Sequence, residues 1–427
     1  MPQEPTSLLS LPDELLVQTF DYLADPPTKG IHPLWSLTHV CRQVREVAQT
    51  VLYRYASFGP GWDATPHFQA AVTQNPSLGQ LVSSLDMHDN ANIPYFFQDG
   101  SLRRKTRAVL RTLTKLKELS LWEVTTDEAA SILAALPSPP IRVLDLRLYW
   151  TENPSHWRDL QTQLSRFSQL HDLCVLDAIT SSPELAQAPR ATRRSPRHLS
   201  LPQVVKLHVV DYVLVEGFGS AGLLRQTLPN LRELHLYMSL SENVSAVSAS
   251  LADLSSSLTT LELLGTETWG ITARYIPDLP ALRCLEFGYD SFTEAEVLAF
   301  LPKATASLES IVFDLSDQVT DRVLRALTGR ERPPRLRHLR LNHISARSPD
   351  DIRDQVERRG WEGKDAEEVR SQLHPHWAIG ATVEGLRLAL ADADANGIQV
   401  TGSALDCANW DATFDKVFAE YAKEGGR

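Results

Sequence analysis

Cysteine is scarce in this chain: four among 427 residues, at Cys41, Cys174, Cys284 and Cys407, with no CxxC pair. That spacing argues against a disulfide framework or a zinc ribbon and fits a reducing compartment, the cytoplasm or the nucleus. Long apolar runs are missing too. No stretch approaches the roughly 18 uncharged apolar residues that a membrane span needs. The Met1 end lacks a basic start followed by an apolar core, so no secretory signal is expected. Basic residues are outnumbered, 42 Lys and Arg against 53 Asp and Glu, for a formal net charge of -11. A nucleic-acid footprint is therefore not expected from the whole-protein field. There is no GxSxG elbow, no HExxH and no Walker loop, so nothing in the sequence asks for a catalytic site, a cofactor or a metal.

What is present is ordinary globular material, 43% hydrophobic and 22% charged. The length exceeds one compact core and implies two or three domains or a repeat array. A repeat is visible. An L-x-x-L-x-L triplet of apolar positions occurs ten times, from Val82/Leu85/Met87 to Leu336/Leu339/Leu341. The central residues fall at 85, 119, 144, 173, 207, 234, 261, 285, 311 and 339, a step of 24 to 34 residues. At this hydrophobic content a single triplet arises by chance in roughly 8% of windows, so the periodic series carries the evidence. Proline falls just upstream of several triplets (Pro139-Pro140, Pro202, Pro229, Pro280, Pro333-Pro334), where it ends a helix and extends the chain before a strand. Helix-compatible stretches lie between triplets, at 127–136, 293–301 and 320–327, each beginning near Thr or Asp.

A strand, a turn and a helix at this period resemble leucine-rich repeats over residues 80–345. The resemblance implies an α/β fold, an irregular solenoid of horseshoe form. The family's Asn or Cys after the last strand leucine is replaced here by Val124, Tyr149, Ala178, Tyr212, Ser239, Thr266, Asp290, Ser316 and Ile344. Without that ladder the array is expected to be uneven, with a poorly formed repeat near 180–200.

Residues 8–58 read as a small helical module. Leu11-Pro12-Asp13 opens a helix, since proline suits the first turn and an acid complements the helix dipole. Leu15, Leu16, Phe20 and Leu23 are expected on one face. After the interruption at 24–33, Val40, Val44, Val47, Val51 and Tyr55 mark a second amphipathic stripe. The residues alone also allow a helical cap on a solenoid. The segments LPDELLVQTFDYL and LWSLTHVCRQVREVAQTVLY together resemble an F-box, as found beside leucine-rich repeats in fungal-type receptors. F-box proteins are substrate receptors of Skp–cullin–F-box ubiquitin ligases. The resemblance therefore implies a non-catalytic receptor that docks on the Skp adaptor, and through it cullin, while its repeats hold a target protein. Carried over by position, the adaptor-binding residues would be Leu11, Pro12, Leu15, Leu16, Phe20, Leu23, Leu37, Val40, Cys41 and Val44. Two other readings stay open: a leucine-rich protein-binding scaffold with no ubiquitin role, and an enzyme whose site lies in the C-terminal region. The expected layout is an F-box at 8–58, a linker or cap at 59–79, the solenoid at 80–345 and a mainly helical C-terminal cap at 346–427.

The residue between two strand leucines, and its alternate neighbours, would face away from the core. Candidate target contacts on that concave face are Trp122, Asp145, Arg147, His208, His235, Tyr237, Glu262, Glu286 and Arg340. Other signals have plainer meanings. The GxGxxG match at 217–222 lacks an acid at the next strand's end and reads as a glycine turn. The calcium-loop start at Asp392, Asp394 and Asn396 has Ser403 where a bidentate Glu is needed, so it reads as a capped turn between a helix at 383–390 and a short strand. His374 and His376 offer two metal ligands without a third. The arginines at 190–197 sit in a Ser/Pro-rich stretch that reads as a solvated loop.

Overall fold

The computed structural model describes residues 11–24, 33–59, 64–88, 100–149, 154–177, 200–210, 213–214, 218, 223–238, 244–265, 276–288, 292–304, 306–314, 319–342 and 381–408. The chain divides into two units, Met1–Val204 and Val205–Arg427.

The first unit begins with three helices, α1 (Asp13–Ala24), α2 (Pro33–Leu37) and α3 (Arg42–Arg54). Leu16, Phe20, Leu34, Val44, Val47, Ala48 and Val51 close on one another as their core. Arg54 Nη1 donates to both Asp21 oxygens at 2.9 Å and ties the end of α3 to α1. Helix α3 ends one position before Tyr55, the last residue of the expected stripe. Tyr55 is extended and exposed, and it starts strand β1 (Tyr55–Phe58). The sheet thus begins inside the segment read as helical. It continues through β2 (Ser84–His88), β3 (Glu118–Thr125), β4 (Val143–Tyr149) and β5 (Asp172–Asp177), all parallel and in chain order. Helices α4 (Ala64–Gln74), α5 (Gly100–Leu110), α6 (Thr126–Ala135) and α7 (Pro154–Leu164) fill the intervals. Within the segment at 59–79, residues 64–79 are structured, with α4 followed by a 3-10 turn at Pro76–Leu81.

The second unit repeats the plan: β6 (Lys206–Val210), β7 (Glu233–Met238), β8 (Thr260–Gly265), β9 (Cys284–Gly288), β10 (Ser310–Asp314), β11 (His338–Asn342) and β12 (Gln399–Thr401). These strands too are parallel and in chain order. Its helices are α8 (Leu224–Thr227), α9 (Val244–Leu254), α10 (Glu294–Ala304), α11 (Asp321–Thr328), α12 (Val383–Ala395) and α13 (Ala404–Ala408). The first unit runs from three helices into an open parallel sheet with helices in the intervals, and the second is built of the same strand-and-helix repeats, a solenoid-like α/β fold.

All thirty side chains of the ten triplets are buried, none more than 4% exposed. Their strand positions stand in register, Leu85 against Leu119, Leu144 and Leu173 in one unit and Leu207 against Leu234, Leu261 and Leu285 in the other. The expected helix starts are capped as their residue types suggest. Thr125 and Glu128 form a reciprocal capping box at α6, Thr293 and Glu296 do the same at α10, and Thr320 Oγ1 accepts from Val323 N at α11.

Without an asparagine ladder the repeats are held by a spine of carbonyls at the strand entries. One C=O per repeat accepts two N–H groups from the next. Lys117 O takes Arg142 N and Val143 N (2.7 and 3.2 Å), and Arg142 O takes His171 N and Asp172 N (2.9 and 3.0 Å). The pattern recurs at Val205, Arg232, Thr259, Arg283 and Glu309. A carbonyl has two lone pairs, so each of these groups is fully used. The expected unevenness is visible at β3, where Glu123 adopts φ 59° and the register with β4 shifts between Trp122 and Val124. The expected irregular repeat at 180–200 lies outside the described residues, apart from its last position.

The strands do not stop at 345. β12 adds to β11, pairing Leu339 with Val400. Helix α12 is moored to α11 by Asp321, which accepts from Thr382 N at 2.7 Å and Thr382 Oγ1 at 2.8 Å, and by Asn396 Nδ2, which donates to Thr328 O at 2.9 Å. The Asp392/Asp394/Asn396 run is the end of α12, with Asn396 as its cap and Gly397 at φ 68° turning the chain into β12. Residues 343–380 and 409–427, with His374 and His376, lie outside the described set, as do the arginines at 190–197 and all of 217–222 except the buried Phe218. No helix among the described residues is long and apolar enough to cross a membrane.

Candidate docking surfaces

On α1 the 3.6-residue period sorts the leucines. Leu15 and Leu16 are adjacent and so about 100° apart, and they cannot share a face. Leu16 and Phe20 turn inward with Val44 from α3, and all three are closed to solvent. They hold the module together and present no surface, which removes them from the set expected to meet a partner. Leu15 is 45% exposed and Val40, in the turn before α3, 64% exposed. Pro12 is exposed, while Leu11, Leu37 and Cys41 are half-buried. The Leu23 side chain lies outside the described set.

The reading of the sequence missed two residues. Tyr22, seven positions after Leu15 and thus on the same side of α1, is 86% exposed. Subtracting the Leu16–Phe20 stripe from the helix would have found it. Leu34 is fully buried in the module core, although it sits at the end of the proline-rich interruption.

The sheet faces present the second set of residues. In the first unit, Asp145 and Cys174 share one lane, and His88, Trp122 and Arg147 share the next. The His88 ring stacks on Trp122 with centroids 5.0 Å apart, and the Arg147 guanidinium carbon lies 3.6 Å from the centre of the Trp122 ring. Three planar groups from three neighbouring strands thus form one stack, a cation–π pair included. Asp145 Oδ2 sits 3.6 Å from Arg147 Nε, close enough for charge attraction and too far for a hydrogen bond. Burial first, and then the charge of Asp145, hold the Cys174 thiol protonated far above its ordinary range.

In the second unit, His208, His235, Glu262 and Glu286 occupy successive strands of one lane, with Arg340 further along it. The imidazoles of His208 and His235 stack at 4.0 Å, and His235 Nδ1 bonds Glu262 Oε2. Burial, then His208 and Lys206, push the His235 ring down to about 3, so it meets Glu262 as a neutral N–H donor. Glu286 is raised by burial and by Asp314, against the pull of Arg340. With the Asn342 amide oxygen turned toward it, Arg340 donates through Nε and Nη2 at 2.9 and 3.2 Å. Tyr237 is half-buried in the adjacent lane. The nine candidate contacts thus fall into two groups. Trp122, Asp145 and Arg147 make a connected cluster in one unit, and the remaining six line the strands of the other. Among the described residues no group of three or more His, Cys, Asp or Glu could hold a metal ion.

Residues 8–58 match the family model described as F-box-like. No curated protein matches the chain. Among solved structures, a chain of the Rad7–Elc1 complex of yeast is similar at 16% identity, covering 81% of this chain and 85% of that one with a TM-score of 0.34. A protein from Bacteroides fragilis is similar at 13% identity, covering 67% of each chain with a TM-score of 0.29. The chain carries an F-box-like domain at its N-terminal end, followed by solenoid-like α/β repeats.

Proposed function

We propose that this protein is the substrate-recognition subunit of a Skp–cullin–F-box ubiquitin ligase, its F-box docking on the Skp adaptor and its strand faces holding a target protein. The observation that carries the reading is the exposure of Leu15, Tyr22 and Val40 on the F-box-like domain, outside the core that Leu16, Phe20, Leu34, Val44, Val47, Ala48 and Val51 close. Exposed large apolar groups beside a filled core mark a contact surface. The adaptor-facing residues are Leu11, Pro12, Leu15, Tyr22, Leu37, Val40 and Cys41. No residue of the chain performs chemistry in this role. Holding the target beside a ubiquitin-loaded enzyme raises the effective concentration of its lysines, and the transfer chemistry belongs to that enzyme. The receptor would act in the cytoplasm or nucleus.

The test is direct binding of purified Skp adaptor to the full chain and to a Leu15→Asp/Val40→Asp variant. Both side chains are exposed, so the fold is retained and binding falls at least tenfold, about 1.4 kcal/mol. No binding by the wild-type chain would overturn the reading and leave a leucine-rich scaffold without a ubiquitin role.

A further inference from the structure

Buried polar atoms without a hydrogen-bond partner are uncommon in folded proteins, and each calls for an explanation. Among the described residues they belong to Trp122, Thr126, Asp145, Arg147, Ser250 and Asp314. Half of them sit side by side: Trp122 Nε1, Arg147 Nε and Asp145 Oδ1, on β3 and β4. The 3.6 Å gap between Arg147 Nε and Asp145 Oδ2 is part of the cause, because it brings the charges together without closing a hydrogen bond. Two N–H donors and one carboxylate oxygen are therefore left unused in one place, on the sheet face opposite the buried leucines.

We infer that this cluster is a recognition subsite for a carboxamide side chain, an Asn or Gln of the bound target. A carboxamide oxygen has two lone pairs and can accept from both Trp122 Nε1 and Arg147 Nε, while its NH2 group donates to Asp145 Oδ1. Other side chains leave something unpaired. A carboxylate would face Asp145, whose charge already offsets Arg147. An ammonium group would set donors against the indole and guanidinium donors. A hydroxyl accepts and donates through a single atom, whereas a carboxamide divides accepting and donating between two atoms, as the cluster does. All three atoms are closed to solvent in the unbound protein. The Arg147 side chain is 41% exposed and is held by ring stacking and the long ion pair, so its outer end is the part that shifts to admit the ligand. Tryptophan and arginine in such a setting are the residue types that dominate protein contact energies. This inference rests on the reading of the strand face as the surface that holds the target.

The test uses the 15N-labelled full chain, whose nine tryptophans give nine indole N–H signals. The Trp122 signal is the one lost in Trp122→Phe. The probes are N-acetyl methylamides of glutamine, glutamate, serine and alanine, which share a backbone and differ in side chain. The glutamine probe is expected to move the Trp122 signal saturably downfield, with at most a fifth of that shift from the other three. Asp145→Ala is expected to weaken the response at least tenfold while the remaining indole signals stay in place. No shift with glutamine, equal shifts from all four probes, or an unchanged response in Asp145→Ala would each overturn the inference. Adaptor binding by the same sample is a separate readout, so failure of the ligase reading and failure of this subsite are told apart.

Discussion

Gly385→Ala replaces the poorest ordinary helix former with the best, at a position inside α12, and should nevertheless destabilise the protein. In isolation the change favours the helix by about 0.5–1 kcal/mol. Here the added Cβ would fall within 2.5 Å of both carboxylate oxygens of Asp321. Asp321 would have to leave, and with it the bonds from Thr382 N and Thr382 Oγ1 that moor α12 to α11. Hydrogen bonds to a charged acceptor contribute about 1.5–3 kcal/mol each, and exposure puts these at the low end, so about 3 kcal/mol is lost in all. The expected net cost is about 2 kcal/mol. The sign should reverse when Asp321 is already absent. In an Asp321→Ala background, Gly385→Ala removes no mooring and should stabilise α12 by about 0.5 kcal/mol, which makes the pair a double-mutant cycle with a coupling of about 2 kcal/mol or more. Hydrogen exchange of residues 382–395, followed by mass spectrometry, reads α12 locally and does not require the whole chain to unfold in one step. Equal protection in wild type and Gly385→Ala, or the same loss in both backgrounds, would refute the reasoning.

Two further outcomes follow from the second unit. Phe287 packs against Phe292, Phe300 and Phe313, with centroids 4.4, 6.2 and 5.2 Å away. Phe287→Ala should cost about 3–5 kcal/mol in urea unfolding, because three aromatic rings lose their common neighbour; a cost under 1 kcal/mol would show that the site collapses freely. Glu286, raised by burial first and then by Asp314, binds its proton more tightly folded than unfolded. Its contribution is therefore fully present at pH values below the ordinary carboxylate range and is lost as pH rises through the elevated folded value. Glu286→Gln should melt higher than wild type at pH 7 and level with it at pH 3–4; a constant difference across that range would refute the assignment.

Periodicity made most of the fold legible. The triplets mark strands because the L-x-x-L-x-L spacing places alternate side chains on one face, and all ten triplets are buried as that alternation requires. Thr293 and Thr320 marked helix starts because their hydroxyls take up free N–H groups there, and the start expected at Asp127 lies two residues after the cap, Thr125. Other features are not properties of a local window. Leu15 and Leu16 are chemically identical neighbours, and only the position of α3 decides which of them is inside. β12 carries no triplet and β1 only Tyr53/Ala56/Phe58, without a leucine; with three or four residues each, their pairing depends on strands brought alongside them by the rest of the chain. The carbonyl spine leaves no trace in side-chain types, since any residue has the backbone oxygen it uses. At the strand face, charge and aromaticity pointed to Trp122, Asp145 and Arg147. Their unfilled hydrogen-bonding capacity depends on a separation of a few tenths of an ångström, which residue type does not encode.

The joint between helices and sheet bears on the proposed role. α3 ends at Arg54 and β1 begins at Tyr55, so no spacer separates the F-box-like domain from the first strand. Arg54 is fixed at both ends of its residue: its guanidinium grips Asp21 of α1, and its carbonyl accepts Ser83 N at 3.0 Å as the first rung of the spine. A flexible linker would spread a held target over many positions and dilute it near the transfer site. A helix that becomes a strand within one residue sets the direction of the first repeats relative to α1 and α3. A receptor that works by placing its target needs that fixed direction, whereas a scaffold that only gathers partners does not.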